Sequence, residues 1–404
     1  MAVSPTTAEV SAGPRLRAAF LAIWAVMVIV VVGIVFMDNV VHKRLRELLV
    51  NPLAVKDQGV WLQKQAFALS ETLSLYGSSE LTEKQENRAD SVFSTLPTDF
   101  EVCPVGAPGH TTLLMAAKLG ALEDSAKGRK VAVILSPSWF RRAGALPDQV
   151  AGCLSPLQAY RYLRNARLDE SLRRRFAERL LAYPDALKSQ PVLEVALKDC
   201  VHGGMWRWAL APFAALCEMD LKWEDHLAVG CAAVFEPPKM PPSAGLPVSH
   251  GKIPWRALVD EKEKAQAAEG EPEIRKIHSL ETPEDKEAEY IASYEGGKEW
   301  DDLKLLLDTM KALQMKPLII GVPLGGNGLE AHGVSRAARE HYYQHLRDVC
   351  APYGWPLVDF AEHDMDPGFL IKGTSHYTAK GWLYVNWTLD DFYHERPIKS
   401  GVVH

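Results

Sequence analysis

The chain has 404 residues, 47% hydrophobic and 24% charged, which is the composition of a folded protein of one large or two ordinary domains. Its formal net charge is -6, so it lacks the polycationic character expected of a nucleic-acid binder. It carries neither GxGxxG followed by an acidic ribose binder nor GxxxxGK[ST], so the two common nucleotide motifs are missing.

The N-terminal region holds the strongest single signal. Residues Ala18 to Met37 (AAFLAIWAVMVIVVVGIVFM) contain no charge. At about 1.5 Å rise per residue this run is long enough to cross a hydrocarbon core of roughly 30 Å. A cleaved signal peptide has a shorter apolar region followed by a small-x-small cleavage site. Here Asp-Asn-Val-Val-His-Lys-Arg follows, so the run reads as an uncleaved transmembrane anchor over 18–37. Arg15 and Arg17 precede it, and Lys43, Arg44 and Arg46 follow it. The positive-inside bias therefore leaves the orientation open.

Residues 1–17 form an N-terminal arm, and 38–66 read as a polar, helix-favouring stalk. From 67 to 404 the pattern predicts a single α/β domain. Five short apolar runs read as strands: Thr72–Tyr76, Phe100–Val105, Val131–Leu135, Pro317–Val322 and Pro356–Phe360. Helix-patterned segments lie between most of them, among them Thr111–Leu122, Trp300–Leu313 and Ser335–Cys350. Buried strands separated by amphipathic helices imply a parallel sheet covered on both faces, a three-layer αβα domain.

Two inserts interrupt this pattern. Residues 147–234 are predicted to be helical and include SLRRRFAERLLAYPDAL, with Arg173, Arg174, Arg175 and Arg179. Those arginines read as a solvated helix face, or else as a contact for an anionic membrane surface or polymer. Residues 236–298 are rich in Pro, Glu and Lys and read as an extended or partly disordered segment. Six cysteines are widely spaced (103, 153, 200, 217, 231 and 350) and fit either disulfides or buried thiols. No CxxC or CxxxxC pair occurs, so no metal site is expected, and no cofactor is called for.

In open parallel α/β sheets, active groups collect at the carboxyl ends of the strands. The first predicted strand ends at Gly77-Ser78-Ser79-Glu80 and the second at Gly106-Ala107-Pro108-Gly109-His110. The third ends at Ser136-Pro137-Ser138-Trp139-Phe140. After the last comes DMDPGFLIKGTSHYTAKGW, with His376. A serine hydroxyl needs a base within hydrogen-bond reach and N–H donors for the oxyanion. Ser79 fits as nucleophile, contributing its own N–H, with a second N–H from Gly109 and His376 as base. Taken alone, a Gly-Ser-Ser turn is more often a helix cap.

Five blocks resemble the DltD family: YGSSEL (Tyr76–Leu81), SPSWF (Ser136–Phe140), EWDDLKLLL (Glu299–Leu307), HGVSR (His332–Arg336) and HYTAKGW (His376–Trp382). The single N-terminal span is also similar. The blocks extend over nearly the whole chain in family order. The resemblance implies an SGNH-hydrolase-like α/β domain on the outer face of the cytoplasmic membrane, with the N-terminus inside. It implies work beside a membrane-bound O-acyltransferase, transferring D-alanyl esters to a cell-envelope polymer such as teichoic acid. It matches Ser79, rather than the alternative Ser78, to the nucleophile and His376 to the base.

One position departs from the family pattern. Three residues before the histidine, where an orienting Asp is usual, stands Gly373. Three readings follow. Asp366 or Asp364 takes the role, or a Ser-His dyad suffices with a backbone carbonyl holding the ring, or the protein is weak or inactive and binds acyl groups or partners. The functional expectation is acyl transfer through a serine acyl-enzyme. Its alternatives are a membrane-anchored esterase or thioesterase and a non-catalytic scaffold for the acyltransferase.

Overall fold

The computed structural model describes residues 12–96, 98–141, 146–203, 206–236, 253–269, 283–366, 368–371 and 374–398. Five parallel strands form one sheet: β1 (Thr72–Gly77), β2 (Glu101–Gly106), β3 (Lys130–Leu135), β4 (Lys316–Gly321) and β5 (Leu357–Val358). Each is a predicted run, shifted by a residue or two, and the last is shortened. The helices that matter below are α1 (Ala12–Val50), α2 (Ala89–Thr95), α3 (Thr112–Gly120), α4 (Glu170–Leu181), α5 (Trp206–Phe235), α6 (Trp255–Glu269), α7 (Lys298–Ala312), α8 (Arg336–Cys350) and α9 (Ala379–Tyr393).

The sheet separates two apolar cores, because successive side chains along a strand point to opposite faces. Tyr76, Val105, Val131, Val133 and Ile319 face one core, closed by α3, α4, α7 and α8. Leu73, Leu75, Val102, Ala132, Ile134 and Ile320 face the other, closed by α2, α6 and α9. Fully burying one such Leu, Val or Ile side chain contributes ~1.5–3 kcal/mol, so both layers are held mainly by the hydrophobic effect. The architecture is the expected three-layer α/β domain.

Strand order is β2-β1-β3-β4-β5. The chain steps from β1 to β2 on one side, then returns to place β3 on the other. That reversal opens a crevice at the carboxyl ends of β1 and β3, the place where ligands bind in open α/β sheets. The close of β1 also requires glycine. Gly77 pairs with Gly106 across the β1–β2 register, and a Cβ on Gly106 would lie 2.3 Å from Gly77 O.

The regions outside the sheet differ in part from the sequence expectation. α1 continues past the apolar run to Val50, and its Leu48 and Leu49 are buried in the domain core. The stalk is thus folded onto the domain. Lys56, within it, is fully buried and donates to Leu49 O and Asn51 O, both at 2.6 Å. The 236–298 segment is helical where described, as α6 and a second helix (Pro283–Tyr294), rather than extended. α6 packs on α9: Trp255 is buried and its Nε1 donates to Asp390 Oδ2 at 2.7 Å. No disulfide joins the six cysteines, all of which lie among the described residues.

Two of the four arginines in α4 face the domain instead of solvent or a membrane. Arg179 binds both carboxylate oxygens of Asp302 on α7, at 2.6 and 2.7 Å, and Arg175 reaches Asp308 at 2.6 Å. A bidentate Arg–carboxylate pair fixes geometry as well as charge. The arginine run therefore serves in large part to clamp the helical insert onto the sheet's helix layer.

Candidate active site

β1 leaves the sheet at Gly77, and a single 3-10 turn, Ser79–Leu81, follows. No long helix starts here, and the Ser78 side chain accepts no capping hydrogen bond. The two serines point to different partners. Ser78 is buried, and its Oγ lies 3.4 Å from Ala107 O in the loop after β2. Ser79 is half-buried, and its Oγ lies 2.7 Å from His376 Nε2. That separation is within the reach required between a nucleophile and its base.

His376 is presented by the loop that leads into α9. Leu370 and Tyr377 form an antiparallel bridge, and Ile371 N donates to His376 O at 2.8 Å. Two residues after the histidine, Thr378 caps α9, accepting from Gly381 N at 3.2 Å. Buried Tyr377 and Trp382 anchor the loop in the core, with ring centroids 5.4 Å apart. Ser375 accepts a hydrogen bond from Ser136 at 3.1 Å, and Ser136 also meets Ser138 at 3.0 Å. The end of β3 is thereby tied to the residue beside the histidine.

The two candidate orienting acids are engaged elsewhere. Asp366 Oδ2 lies 2.6 Å from Lys380 Nζ, and its Oδ1 accepts from Gly368 N at 3.0 Å. Burial alone would raise its pKa, but His363, Lys380 and the Gly368 N–H outweigh this and hold it at about 2. Asp364 is buried between Arg339 at 2.9 Å and Arg336 at 3.0 Å. Among the described residues no carboxylate hydrogen-bonds His376. Gly373, the departure noted in the sequence, lies outside the described residues.

Gly109 sits in the loop after β2, the strand next to β1. Its φ of +91° is in the left-handed region that favours glycine, and a Cβ there would lie 3.2 Å from Cys153 Sγ. The loop closes on itself: Ala107 N donates to His110 Nδ1 at 2.8 Å, and His110 N donates to Ala107 O at 3.1 Å. Burial pushes the His110 imidazole down to about 2, so it is neutral. The Ser78–Ala107 contact links this loop to the Ser79 turn.

Sequence reasoning passed over Glu80. It is buried, and its Oε1 accepts the Ser78 N–H at 2.6 Å. A Cβ on Gly77 would lie 2.4 Å from that same oxygen, so the glycine makes room for the carboxyl. Burial pushes its pKa up to about 7, against the lowering effect of backbone N–H donors. The signal was in GSSEL: a carboxylate directly after a strand-end turn, where an unpaired charge is costly unless hydrogen-bonded. Glu299 does similar work from the EWDDLKLLL block. It is buried and accepts from Thr112 N at 2.7 Å and Thr112 Oγ1 at 2.8 Å, fixing the start of α3 behind Gly109.

Residues 52–394 match the family described as DltD protein. The chain is 27% identical to Protein DltD of Bacillus subtilis (strain 168) over 349 residues, covering 85% of this chain and 88% of that one. It is 25% identical over 350 residues to Protein DltD of Staphylococcus aureus (strain NCTC 8325 / PS 47), covering 83% and 85%. Over 338 residues it is 22% identical to Protein DltD of Lacticaseibacillus rhamnosus, covering 81% and 78%. With a family match over most of its length, the chain belongs to the DltD family.

Proposed function

We propose that this protein transfers an acyl group, D-alanyl by its family, to a hydroxyl of a cell-envelope polymer through an ester on Ser79. The observation that carries the reading is the 2.7 Å contact between Ser79 Oγ and His376 Nε2 at the sheet's switch point. His376 Nε2 accepts the Ser79 proton as Oγ forms a bond to the donor's carbonyl carbon. The N–H groups of Ser79 and Gly109 stabilise the oxyanion. The donor's leaving group then departs with the proton from His376, leaving acyl-Ser79. An acceptor hydroxyl next gives its proton to His376 and attacks the ester carbonyl. Ser79 leaves and recovers its proton.

The imidazole works as one half of a Ser-His dyad, held by its loop rather than by a carboxylate. The Ile371–His376 backbone bond and the Ser136–Ser375 bond support this. The donor is supplied by a membrane-bound O-acyltransferase, and the domain lies outside the cytoplasmic membrane. Among the described residues one helix, over Arg17–Val50, is long and apolar enough to serve as the anchor. Cells carrying Ser79→Ala should lose envelope ester to the level of a deletion strain. Unchanged ester content would contradict the acyl-enzyme and favour a scaffold.

A further inference from the structure

One side of α5 carries an apolar stripe that the fold leaves uncovered. On α5, Leu216, Met219, Trp223 and Leu227 are exposed by 56, 52, 51 and 41%. Their spacing places them along one side of the helix. The opposite side is packed on the domain: Glu218 pairs with Arg164 at 3.0 Å, and Asp225 Oδ2 accepts from Val60 N and Trp61 N, both at 2.9 Å. Exposed Asp220 and Glu224 project roughly 50–100° to one side of the stripe's mid-line at 100° per residue. Lys222 stands on the other side, held by Glu218 at 2.5 Å. Charges thus bound the stripe on both sides.

The same stripe runs on into the contact with α1. Gly230 stands on it, and a Cβ there would lie 2.9 Å from Met37 Sδ. His226 Nε2 meets Asp38 Oδ1 at 2.9 Å, and Arg44 donates to Ala233 O and to Glu236 O. Residues 38 and 44 of α1 meet residue 226 and then residue 233 of α5, with Glu236 just beyond its end, so the two helices run in the same direction. Followed back toward their N-termini, both leave the contact on the same side. α1 enters its uncharged run immediately before Asp38, and α5 enters the exposed stripe at Leu227. From His226 to Leu216 is about 15 Å along the helix.

We propose that this side of α5 lies in the headgroup and upper acyl region of the bilayer, as a second membrane contact beside the span. It rests on α1 being the membrane anchor. Trp223 and the leucines on this side, with charges flanking them, suit that depth beside the span. Because the other side of α5 is fixed to the domain, immersion of the stripe sets the tilt of the whole catalytic domain on the membrane.

The test is photo-crosslinking of the full-length protein, with p-benzoyl-phenylalanine placed in turn at Val30, Leu216, Met219 and Lys84. The protein is irradiated alone in phosphatidylethanolamine–phosphatidylglycerol vesicles and, in parallel, in cell membranes. Lipid adducts are expected at Val30, Leu216 and Met219 in both settings, with none at Lys84, an exposed residue in the segment that follows the Ser79 turn. Adducts at Val30 without adducts at Leu216 and Met219 would overturn the proposal while leaving the anchor in place. Absence at Val30 would overturn the anchor and the proposal together. Protein adducts in place of lipid ones at Leu216 and Met219 in cell membranes would overturn it in favour of a protein-docking face.

Discussion

Ser79 Oγ and His376 Nε2 meet at 2.7 Å although 297 residues separate them in the chain. β1 delivers one partner and the loop before α9 the other. If the pair acts as a unit, removing either member should cost about as much as removing both. Ser79→Ala, His376→Ala and the double variant are each expected to lower transfer by roughly 10³-fold or more, without additivity. Ser78→Ala, which removes only the contact to Ala107 O, should retain most activity. Rates measured with a labelled acyl donor on the reconstituted system check this.

Asp366 separates the dyad from a triad. An orienting acid's loss costs about 10⁴ in rate in a serine protease. Here Asp366 serves Lys380 and the Gly368 N–H, so Asp366→Asn should leave the rate within about tenfold of wild type. Its effect belongs to stability. The folded pKa of about 2 is below the unfolded 3.8, so its contribution is present above pH 3.8 and lost as pH falls toward 2. Allowing for solvent screening, that contribution is about 1 kcal/mol, readable in urea midpoints of the variant at neutral pH.

Glu80 has the opposite sign. Its folded pKa of about 7 is above the ordinary 4.5, so burial favours the neutral acid. The stability that goes with the protonated form is full below pH 4.5 and is lost as pH rises through about 7. Glu80→Gln keeps an acceptor for the Ser78 N–H and cannot ionise. It should match wild type near pH 4.5 and exceed it by up to about 3 kcal/mol above pH 7, in denaturation followed across that range. Glu80→Ala removes the acceptor and should also lower activity.

The Ser136–Ser375 bond of 3.1 Å ties the end of β3 to the histidine loop. Loss of one neutral hydrogen bond is worth about 1 kcal/mol. Ser136→Ala and Ser375→Ala should therefore each lower kcat about fivefold to tenfold, with KM and melting temperature little changed. Because the two residues share the bond, the double variant should be no worse than either single one. Steady-state kinetics on the three variants decide this.

Gly106→Ala tests the packing that closes β1. The added Cβ would lie 2.3 Å from Gly77 O, a backbone atom with no room to give. Overpacking of this kind is expected to cost about 3 kcal/mol or more, lowering both the melting temperature and transfer.

The sheet and its helices were readable because buried parallel strands are continuous apolar runs that stop at Gly, Ser or Pro, and β1 to β4 do this. That Ser79 and His376 would come together was readable because both follow strand ends at the carboxyl edge of the sheet. The helices in the 236–298 segment were not. Seven of the fifteen residues of α6 are charged, and among those whose burial is described only Trp255 and Val259 are buried, too few for a clear period. Arg175 and Arg179 looked solvated because their partners, Asp308 and Asp302, lie more than a hundred residues on. The tie from Ser136 to Ser375 is equally non-local, and no local pattern reports it. In the family blocks, Glu299, Thr378 and Trp382 hold the loops, and Ser79 and His376 stand where two of those blocks meet at 2.7 Å.

The central claim is an acyl ester on Ser79. The most direct measurement is peptide mass spectrometry of the full-length protein after turnover with donor, trapped by acid quench, or after labelling with a fluorophosphonate. The expected result is the added mass on Ser79, absent from His376→Ala. An adduct on Ser78 instead, or continued transfer with Ser79 unmodified, would contradict it.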